Sequence, residues 1–299
     1  MRSLITGGHG FVGTWLAEHL RSNGDDVVQI DQEVEITDPS AVLAAVADAA
    51  PDAVYHLAAM THVGQSWDEP LRVHEVNVLG TATVLAAARE CGTDPRVLVT
   101  SSAEVYGAVT DPTQLPLTEQ SPTAPLTPYA ASKLAAEALC VQAWLGHGQQ
   151  VVVVRPFNHI GPRQSPNFAV SALAKRIVDA ERTGATEIPV GNLSARRDFT
   201  DVRDVVRAYR SLVRSGTPGV VYNVCSGRDV AIQEIADRLL AEAGSSVRLV
   251  PDPALLRPVE VPVLRGDPTR LREATGWVPE LPLDRTLADV LAHWRSVPA

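Results

Sequence analysis

Residues 7–13 read Gly-Gly-His-Gly-Phe-Val-Gly and stand between a short apolar run, Ser3–Thr6, and the longer segment Phe11–Ser22. Glycines at this GxxGxxG spacing allow a tight turn and a close approach of the backbone to a pyrophosphate, which the start of the following helix stabilises. Glycine clusters occur in many loops, but a strand before this one and a helix after it favour a dinucleotide-binding turn. The residues predicted to contact the cofactor here are Gly7, Gly10, Phe11, Val12 and Gly13.

An acidic residue stands at the place that such a turn requires, at the end of the second predicted strand. Asp31 follows the predicted strand Asp26–Ile30, close to the usual offset of about 20 residues. A carboxylate there accepts hydrogen bonds from the ribose of NAD and repels the additional phosphate of NADP. The alternative is a structural turn with Asp31 as a solvated strand end. Since residues 31–37 contain no arginine for a 2′-phosphate, NAD(H) or NADP(H) is predicted, with NADH slightly favoured.

The rest of the first half alternates short β-branched or apolar runs with longer Ala/Leu-rich segments. This alternation is typical of βαβ units and of a parallel sheet with helices on both faces. We therefore predict an α/β fold: a Rossmann doubly wound parallel sheet with a smaller C-terminal substrate-binding domain. Residues 1–160 and 200–226 would form the first part, and residues 161–199 and 227–299 the second.

The predicted elements share one pattern, short apolar strands followed by longer helices with polar caps. A proline-rich loop over the site is predicted at Pro251–Pro262. Further strands are predicted at Ala53–Leu57, Val97–Ser101 and Val151–Arg155, and further helices at Pro39–Ala49, Glu75–Arg89, Pro128–Leu145, Phe168–Arg182, Val202–Arg214, Ile232–Ala243 and Leu283–Trp294.

Composition and charge restrict the classes of partner. Of 299 residues, 45% are hydrophobic and 20% are charged, which excludes a disordered chain. The net charge is −9 and no basic stripe is present, so neither nucleic acid nor an anionic membrane is an expected partner. An anionic ligand would need a few local arginines or helix N-termini to receive it.

Cysteine and histidine usage bears on location and metal binding. Cys91, Cys140 and Cys225 are odd in number and far apart, which argues against a disulfide framework or a zinc site. His56 and His62 lack a partner at metal spacing, which favours a core or cofactor-pocket role over ligation. No apolar stretch is long enough to cross a bilayer and no signal-peptide pattern is visible. We expect a reducing, cytoplasmic location and no metal.

A second set of residues points to carbonyl chemistry. Tyr129 and Lys133 are four apart on one predicted helix, so they share a face, and Ser102 follows the predicted fourth strand. Free tyrosine, with a pKa of about 10, is a slow acid near neutrality, and we expect the Lys133 ammonium to lower that pKa. Alternatively, these are an interface aromatic, a surface charge and a strand-end hydroxyl. Their order after the glycine turn favours catalysis.

Over essentially its whole length the chain resembles the extended short-chain dehydrogenases/reductases. Within them it is most similar to the GDP-4-keto-6-deoxy-D-mannose reductases, which form GDP-D-rhamnose, and to the related GDP-mannose 4,6-dehydratases. The motifs that carry this resemblance are SSAEVYG from Ser101, YAASK from Tyr129, RPFNHIGP from Arg155, VGNLSARRDFTDVRDVVRAY from Val190, VYNVCSG from Val221, LRPVEVPVLRGD from Leu256 and TGWVPE from Thr275.

The resemblance implies roles for individual residues. Ser102, Tyr129 and Lys133 would be the catalytic triad, and Glu104 matches the acid that serves the dehydratases as elimination base. Asn77 matches an asparagine that braces the active-site backbone. For Arg197 and Arg257, which the resemblance places at the substrate, the alternative is a surface salt bridge with Asp198 or Glu260. The residues implied beside the cofactor are Leu57, Ala58, Ala59, Tyr129 and Lys133, and those implied to hold the substrate are Ser102, Asn158, Arg197, Arg257 and Glu260.

The activity implied by the resemblance is NAD(P)H-dependent reduction of the C4 ketone of a GDP-linked 4-keto-6-deoxyhexose. A 4,6-dehydratase and a nucleotide-sugar 4-epimerase remain alternatives, and a non-catalytic nucleotide-binding sensor is disfavoured by the intact triad. Residue chemistry alone does not separate GDP from UDP or dTDP. The resemblance also implies a homodimer, formed by a four-helix bundle of the Tyr129 helix and the Glu75–Arg89 helix.

Overall fold

The computed structural model describes residues 1–109, 111–255 and 261–298. Its largest element is a six-stranded, wholly parallel sheet in the order β2-β1-β3-β4-β5-β9. The strand order reverses at β1, which has β2 on one side and β3 on the other. The strands are β1 (Arg2–Thr6), β2 (Asp26–Ile30), β3 (Ala53–His56), β4 (Arg96–Thr100), β5 (Val151–Pro156) and β9 (Val221–Val224).

Helices cover both faces of this sheet, because its strands are apolar on both sides. On one face lie α1 (Phe11–Ser22), α7 (Val202–Ser215) and α9 (Thr269–Thr275). On the other lie α2 (Pro39–Ala49), α4 (Gly80–Glu90) and α5 (Pro128–His147). Asp38 caps α2 by accepting from the backbone N–H groups of Ser40 (2.9 Å) and Ala41 (3.2 Å). Thr127 caps α5 in the same way. The predicted α/β Rossmann fold is confirmed.

A second hydrophobic core lies beside the sheet and is built mostly from the C-terminal half. Ile177, Ile235 and Leu239 are fully buried in it. Its strands form a small sheet in the order β10-β8-β12, with β6 paired to β8, and a separate pair of β11 with β7. The elements are β6 (Asn158–Ile160), α6 (Ala169–Thr183), β7 (Glu187–Val190), β8 (Arg196–Asp201), β10 (Asp229–Ala231), α8 (Ile232–Ala243), β11 (Arg248–Pro251), β12 (Val263–Leu264) and α10 (Leu283–Ser296).

Several helix ends differ from prediction by one or two residues, and one start differs by five. The helix predicted to begin at Glu75 begins at Pro70: α3 (Pro70–His74) continues through a π-helical stretch, Glu75–Leu79, into α4. Proline at the first helical position explains this start. α5 passes through Gly146 and ends before Gly148, whose φ of 69° places it in the left-handed conformation that ends helices.

The C-terminal helix α9 belongs to the core of the large sheet rather than to the second core. α9 packs on α7, so the buried side chains of Leu271 and Trp277 join the core of the large sheet, although they lie within residues 227–299. The proposed domain division therefore stays a prediction. Of the predicted loop Pro251–Pro262, Pro251 ends β11 and Pro253–Leu255 form a 3-10 turn, while residues 256–260 lie outside the described residues. Among the helices that the structure describes, none combines the length and the apolar character needed to span a membrane.

Candidate active site

A cavity of about 960 Å³ lies at the carboxyl ends of the parallel strands, next to the reversal of strand order at β1. Open α/β sheets bind their ligands at this place. The second core supplies the opposite wall, through residues of α6 and of the segment that follows β7. Every predicted site residue within the described ranges lines this one cavity: Gly7, Gly10, Phe11, Val12, Gly13, Asp31, Leu57, Ala58, Ala59, Ser102, Glu104, Tyr129, Lys133, Asn158 and Arg197.

Gly7 and Gly13 of the glycine turn are packed too tightly to carry a side chain. Gly7 has a φ of +68°, and a Cβ on it would lie 2.8 Å from the backbone nitrogen of Ala58. A Cβ on Gly13 would lie 2.3 Å from the carbonyl oxygen of Gly7. Gly10 begins α1 without a side-chain cap, so the first-turn N–H groups of α1 are available to an anion. The turn therefore fits a dinucleotide pyrophosphate.

The far end of the cavity is acidic on the side of β2. The Asp31 carboxylate accepts a hydrogen bond from the backbone N–H of His9 (2.8 Å), which ties it to the glycine turn. Glu35 lines the same wall and pairs with Arg72 of α3 at 3.2 Å. Arg72 also pairs with Glu75 (2.9 Å) and lines the cavity. Arg72 was not predicted as a site residue, because nothing in the sequence around it indicates that its side chain contacts Glu35 in a distant loop.

The catalytic candidates come together at the other end of this cavity. Ser102 begins a 3-10 turn, and its Oγ accepts from the backbone N–H of Glu104 (3.1 Å). Tyr129 and Lys133 are both buried and lie one turn apart on α5. The Lys133 Nζ donates to the carbonyl oxygen of Thr100 (2.8 Å) at the end of β4. Because the Ser102 oxygen is the acceptor in the bond to Glu104, its hydroxyl proton can be directed to the Tyr129 hydroxyl or to a substrate oxygen.

The predicted effect of Lys133 on Tyr129 is corrected by the structure. Burial, the largest cause, raises the pKa of Tyr129 to about 12; a hydrogen bond with Ser102 opposes this rise, and the nearby Glu104 charge adds to it. Burial lowers the pKa of Lys133 to about 8. The expectation of a phenol made more acidic by the ammonium was therefore wrong for this state, because desolvation dominates. At neutral pH Tyr129 keeps its proton and is ready to donate it.

A buried chain of hydrogen bonds connects β1 with the cavity backbone through His56. The His56 ring bonds Thr6 Oγ1 (2.7 Å) and Thr81 Oγ1 (3.1 Å). Thr81 donates to the carbonyl oxygen of Asn77 (2.6 Å), and the Asn77 amide pairs with both backbone groups of Met60. Burial lowers the pKa of His56 to about 3, so the ring is neutral. His56 is a core residue, and Asn77 braces backbone that lines the cavity.

His62 lies on the cavity wall. Its Nδ1 accepts from the backbone N–H of Gln65 (3.0 Å), and its ring meets Phe168 edge-on at 6.3 Å. Within residues 1–109, 111–255 and 261–298, no group of three or more His, Cys, Asp or Glu side chains could hold a metal ion.

The predicted substrate residues are only partly within the described chain. Asn158 and Arg197 line the cavity, and Arg197 donates to the carbonyl oxygen of Arg196 (2.9 Å). Arg257 and Glu260 lie outside the described residues. Asp198, offered as an alternative partner for Arg197, is fully buried. Its carboxylate accepts from the N–H groups of Ser226 and Gly227 and from the Ser226 hydroxyl.

A buried ion pair behind the catalytic candidates was also missed. The Glu137 carboxylate accepts from Arg155 Nε (2.8 Å) and Nη2 (2.7 Å), and the Ser101 hydroxyl donates to the same carboxylate. Glu137 is four residues after Lys133 on α5, which was the available signal. Arg155 comes from the neighbouring strand β5, so the pairing needed the sheet order.

Comparison with known proteins gives matches along the chain. The family described as GDP-mannose 4,6 dehydratase matches residues 32–290. GDP-6-deoxy-D-mannose reductase of Pseudomonas aeruginosa is 38% identical over 298 residues, which cover 99% of this chain and 97% of that protein. UDP-glucose 4-epimerase of Mycolicibacterium smegmatis is 30% identical over 323 residues, covering 99% of each. The solved structure of RMD from Pseudomonas aeruginosa complexed with NADPH has a TM-score of 0.91, with 36% identity and 99% of both chains covered.

Proposed function

Because this chain belongs to the GDP-mannose 4,6-dehydratase family, we propose that it is an NAD(P)H-dependent reductase of nucleotide-linked 4-keto-6-deoxyhexoses. The observation that carries this proposal is a single cavity holding both a glycine turn that fits a dinucleotide and the Ser102–Tyr129–Lys133 set. The relative named GDP-6-deoxy-D-mannose reductase, 38% identical over almost the whole chain, supports the reductive direction. The proposed reaction converts GDP-4-keto-6-deoxy-D-mannose to GDP-D-rhamnose.

The chain's residues suit the proton side of this reaction. The nicotinamide supplies a hydride to C4 when it is bound. As C4 is reduced, negative charge develops on its oxygen, and Tyr129 gives that oxygen its proton. Ser102 donates a hydrogen bond to the same oxygen. Lys133 keeps a positive charge beside Tyr129, with Thr100 as its backbone partner, and offers its remaining N–H groups to the ribose of the cofactor.

The nucleotide diphosphate is proposed to bind along the wall that carries Asn158 and Arg197. An arginine fork suits a diphosphate, which otherwise meets a protein with a net charge of −9. Arg257 and Glu260 are proposed for the same subsite from the motif resemblance alone. GDP is the proposed nucleotide because the reductase relative is named for a GDP-sugar.

A 4,6-dehydratase is the second candidate, and Glu104 is the observation that favours it. Glu104 lines the cavity two residues after Ser102. An ionised carboxylate there could remove a proton from C5 and so start elimination of water across C5 and C6. Such an enzyme would oxidise C4 first and return the hydride at the end, so no net cofactor would be consumed.

Product analysis separates these candidates. With GDP-4-keto-6-deoxy-D-mannose and NADH or NADPH, we expect one equivalent of cofactor to be oxidised for each GDP-D-rhamnose formed, followed by absorbance and NMR. Conversion of GDP-mannose with no net cofactor use would establish the dehydratase instead. Interconversion of UDP-glucose and UDP-galactose would establish an epimerase.

Asp31 is proposed to favour NADH over NADPH, because its carboxylate repels a 2′-phosphate. Asp31→Ala is expected to lower the ratio of kcat/KM for NADH to that for NADPH by about tenfold, equivalent to about 1.4 kcal/mol. Asp48→Ala, which removes an exposed carboxylate from α2, is the matched control and should leave the ratio unchanged. An unaltered ratio in Asp31→Ala would reject this assignment.

A homodimer is proposed through the face formed by α5 and the helical run from Pro70 to Glu90. This face leaves apolar side chains in solvent: Leu71 is 84% exposed, Leu79 57% and Leu145 69%. Exposed apolar patches of this kind mark protein interfaces. Leu79→Arg/Leu145→Arg is expected to turn the dimer into a monomer in light scattering, whereas Val278→Arg, another exposed apolar site, should not. A monomeric parent protein would contradict the proposal.

A further inference from the structure

Glu137 is a buried carboxylate with three donors around it. Its two oxygens accept from Arg155 Nε (2.8 Å) and Nη2 (2.7 Å), and the Ser101 hydroxyl also donates to it. Glu137 and Arg155 are 6% exposed each, and the guanidinium also lies 4.8 Å from the centre of the Tyr106 ring. The Glu137 carboxylate is therefore paired with a permanent cation, the Arg155 guanidinium, and fixed by a third donor, the Ser101 hydroxyl.

Side chains of helix α5 form hydrogen bonds with two consecutive residues at the end of β4, Thr100 and Ser101. Lys133 donates to the carbonyl oxygen of Thr100, and Glu137, one turn later, accepts from the side chain of Ser101. The next residue is Ser102, whose hydroxyl faces the cavity. The side chains of Lys133 and Glu137 therefore fix both the position of Ser102 and the position of the Lys133 ammonium group.

Glu137 is a buried carboxylate on α5, the helix that also carries Lys133. Burial lowers the pKa of Lys133, and the neighbouring Cys140 and Glu137 oppose that shift. Burial raises the pKa values of the Tyr129 phenol and the Cys140 thiol and lowers that of His56 on β3, so these three groups are neutral. Among the described residues, Glu137, Cys140 and His56 interact electrostatically with Lys133. Tyr129 lies one turn before Lys133 on α5, with Glu104 near its phenol, and Arg155 pairs with Glu137.

We propose that Glu137 is a positioning residue of this site: it fixes the end of β4 beside Ser102 and supplies the buried negative charge that keeps Lys133 an ammonium ion at neutral pH. The inference rests on the proposed function only for the role given to Lys133. Its electrostatic part can be measured without any substrate. Arg155 serves the same purpose indirectly, because it holds the Glu137 carboxylate in place.

The chain is well suited to a direct measurement, because Lys133 and Lys175 are its only lysines. In the full chain labelled with [6-¹³C]lysine, NMR should show two ε-methylene signals. Lys175 is 41% exposed in its side chain and pairs with Asp179, so it serves as an internal reference. The other signal reports the charge of Lys133, and we expect it to titrate near pH 8.

Glu137→Gln is expected to lower the pKa of Lys133 by about one unit, because the anion is lost and the Arg155 cation stays. Glu137→Asp, which keeps the charge, should restore most of the shift. Glu119→Gln is the matched control: it removes another buried carboxylate that pairs with an arginine, Arg270, at 3.4 Å. It should leave the pKa of Lys133 unchanged.

An unchanged pKa of Lys133 in Glu137→Gln would overturn the proposal. If Glu137→Gln fails to fold, the double variant Glu137→Gln/Arg155→Met removes both charges of the ion pair. It is expected to lower the pKa of Lys133 by a smaller amount than the single variant. No lowering in the double variant would also overturn the proposal. In turnover, the alkaline limb of the pH profile should move to lower pH in Glu137→Gln by the same shift. Loss of the reductase proposal would leave the NMR titration as it is, so the two failures are distinguishable.

Discussion

Tyr129→Phe is expected to reduce kcat for the ketone by about 10³-fold, within the range of about 10² to 10⁴ that a positioned general acid contributes. The phenol is buried beside Ser102 at the cavity floor, and phenylalanine keeps its shape while removing the proton that the alkoxide needs. NADH affinity should change little, because the glycine turn and Lys133 are untouched. Stopped-flow oxidation of NADH and fluorescence titration measure the two quantities separately.

Tyr106→Phe is the matched control for this variant. Tyr106 is also a buried tyrosine, but its hydroxyl donates to Asn223 (2.7 Å) and it does not line the cavity. It should lose about 1 kcal/mol of unfolding free energy and keep its turnover. Normal turnover in Tyr129→Phe, or an equal loss in both variants, would reject Tyr129 as the proton donor.

Gly13→Ala should weaken NADH binding by roughly 100-fold or more, equivalent to about 3 kcal/mol. Its Cβ would lie 2.3 Å from the Gly7 oxygen and 2.7 Å from the Gly8 oxygen, so the turn must move away from α1. Both contacts are to backbone, which cannot rotate aside as a side chain can. Isothermal titration with NADH gives the affinity, and circular dichroism shows whether the variant has folded.

Gly146→Ala provides the comparison for that loss. Gly146 is an exposed glycine inside α5, and its Cβ would meet only the end of the flexible Gln142 side chain. It should stabilise the helix by up to about 1 kcal/mol and leave NADH affinity as it is. Retention of parental affinity by Gly13→Ala would show that the turn does not carry the cofactor pyrophosphate.

Local signals account for the parts of this molecule that could be predicted from its sequence. The glycine turn, Asp31 at a strand end and the Tyr129–Lys133 spacing each follow from rules that act over a few residues, and the structure brings all of them to one cavity. The caps at Asp38 and Thr127 set two helix starts correctly for the same reason. Parallel strands then place their carboxyl ends together without further information.

The parts that could not be predicted depend on contacts between distant segments. Arg155 meets Glu137 only because β5 and α5 pack together, and Arg72 meets Glu35 only across the cavity wall. The pKa of Tyr129 was predicted in the wrong direction because burial outweighs a neighbouring charge, and burial is set by the whole fold. Glycine is a poor helix former, so Gly146 did not indicate that α5 would continue to His147.

The cavity separates two hydrophobic clusters that have no buried residue in common. A dinucleotide on the glycine turn would lie against the sheet side of the cavity, whereas a sugar nucleotide that reaches Arg197 and α6 would also lie against the second core. A ligand stabilises the conformation of the protein that it binds, by an amount set by its affinity and concentration. A sugar nucleotide that contacts both walls would therefore stabilise the packing of the second core against the sheet, in addition to occupying its own subsite.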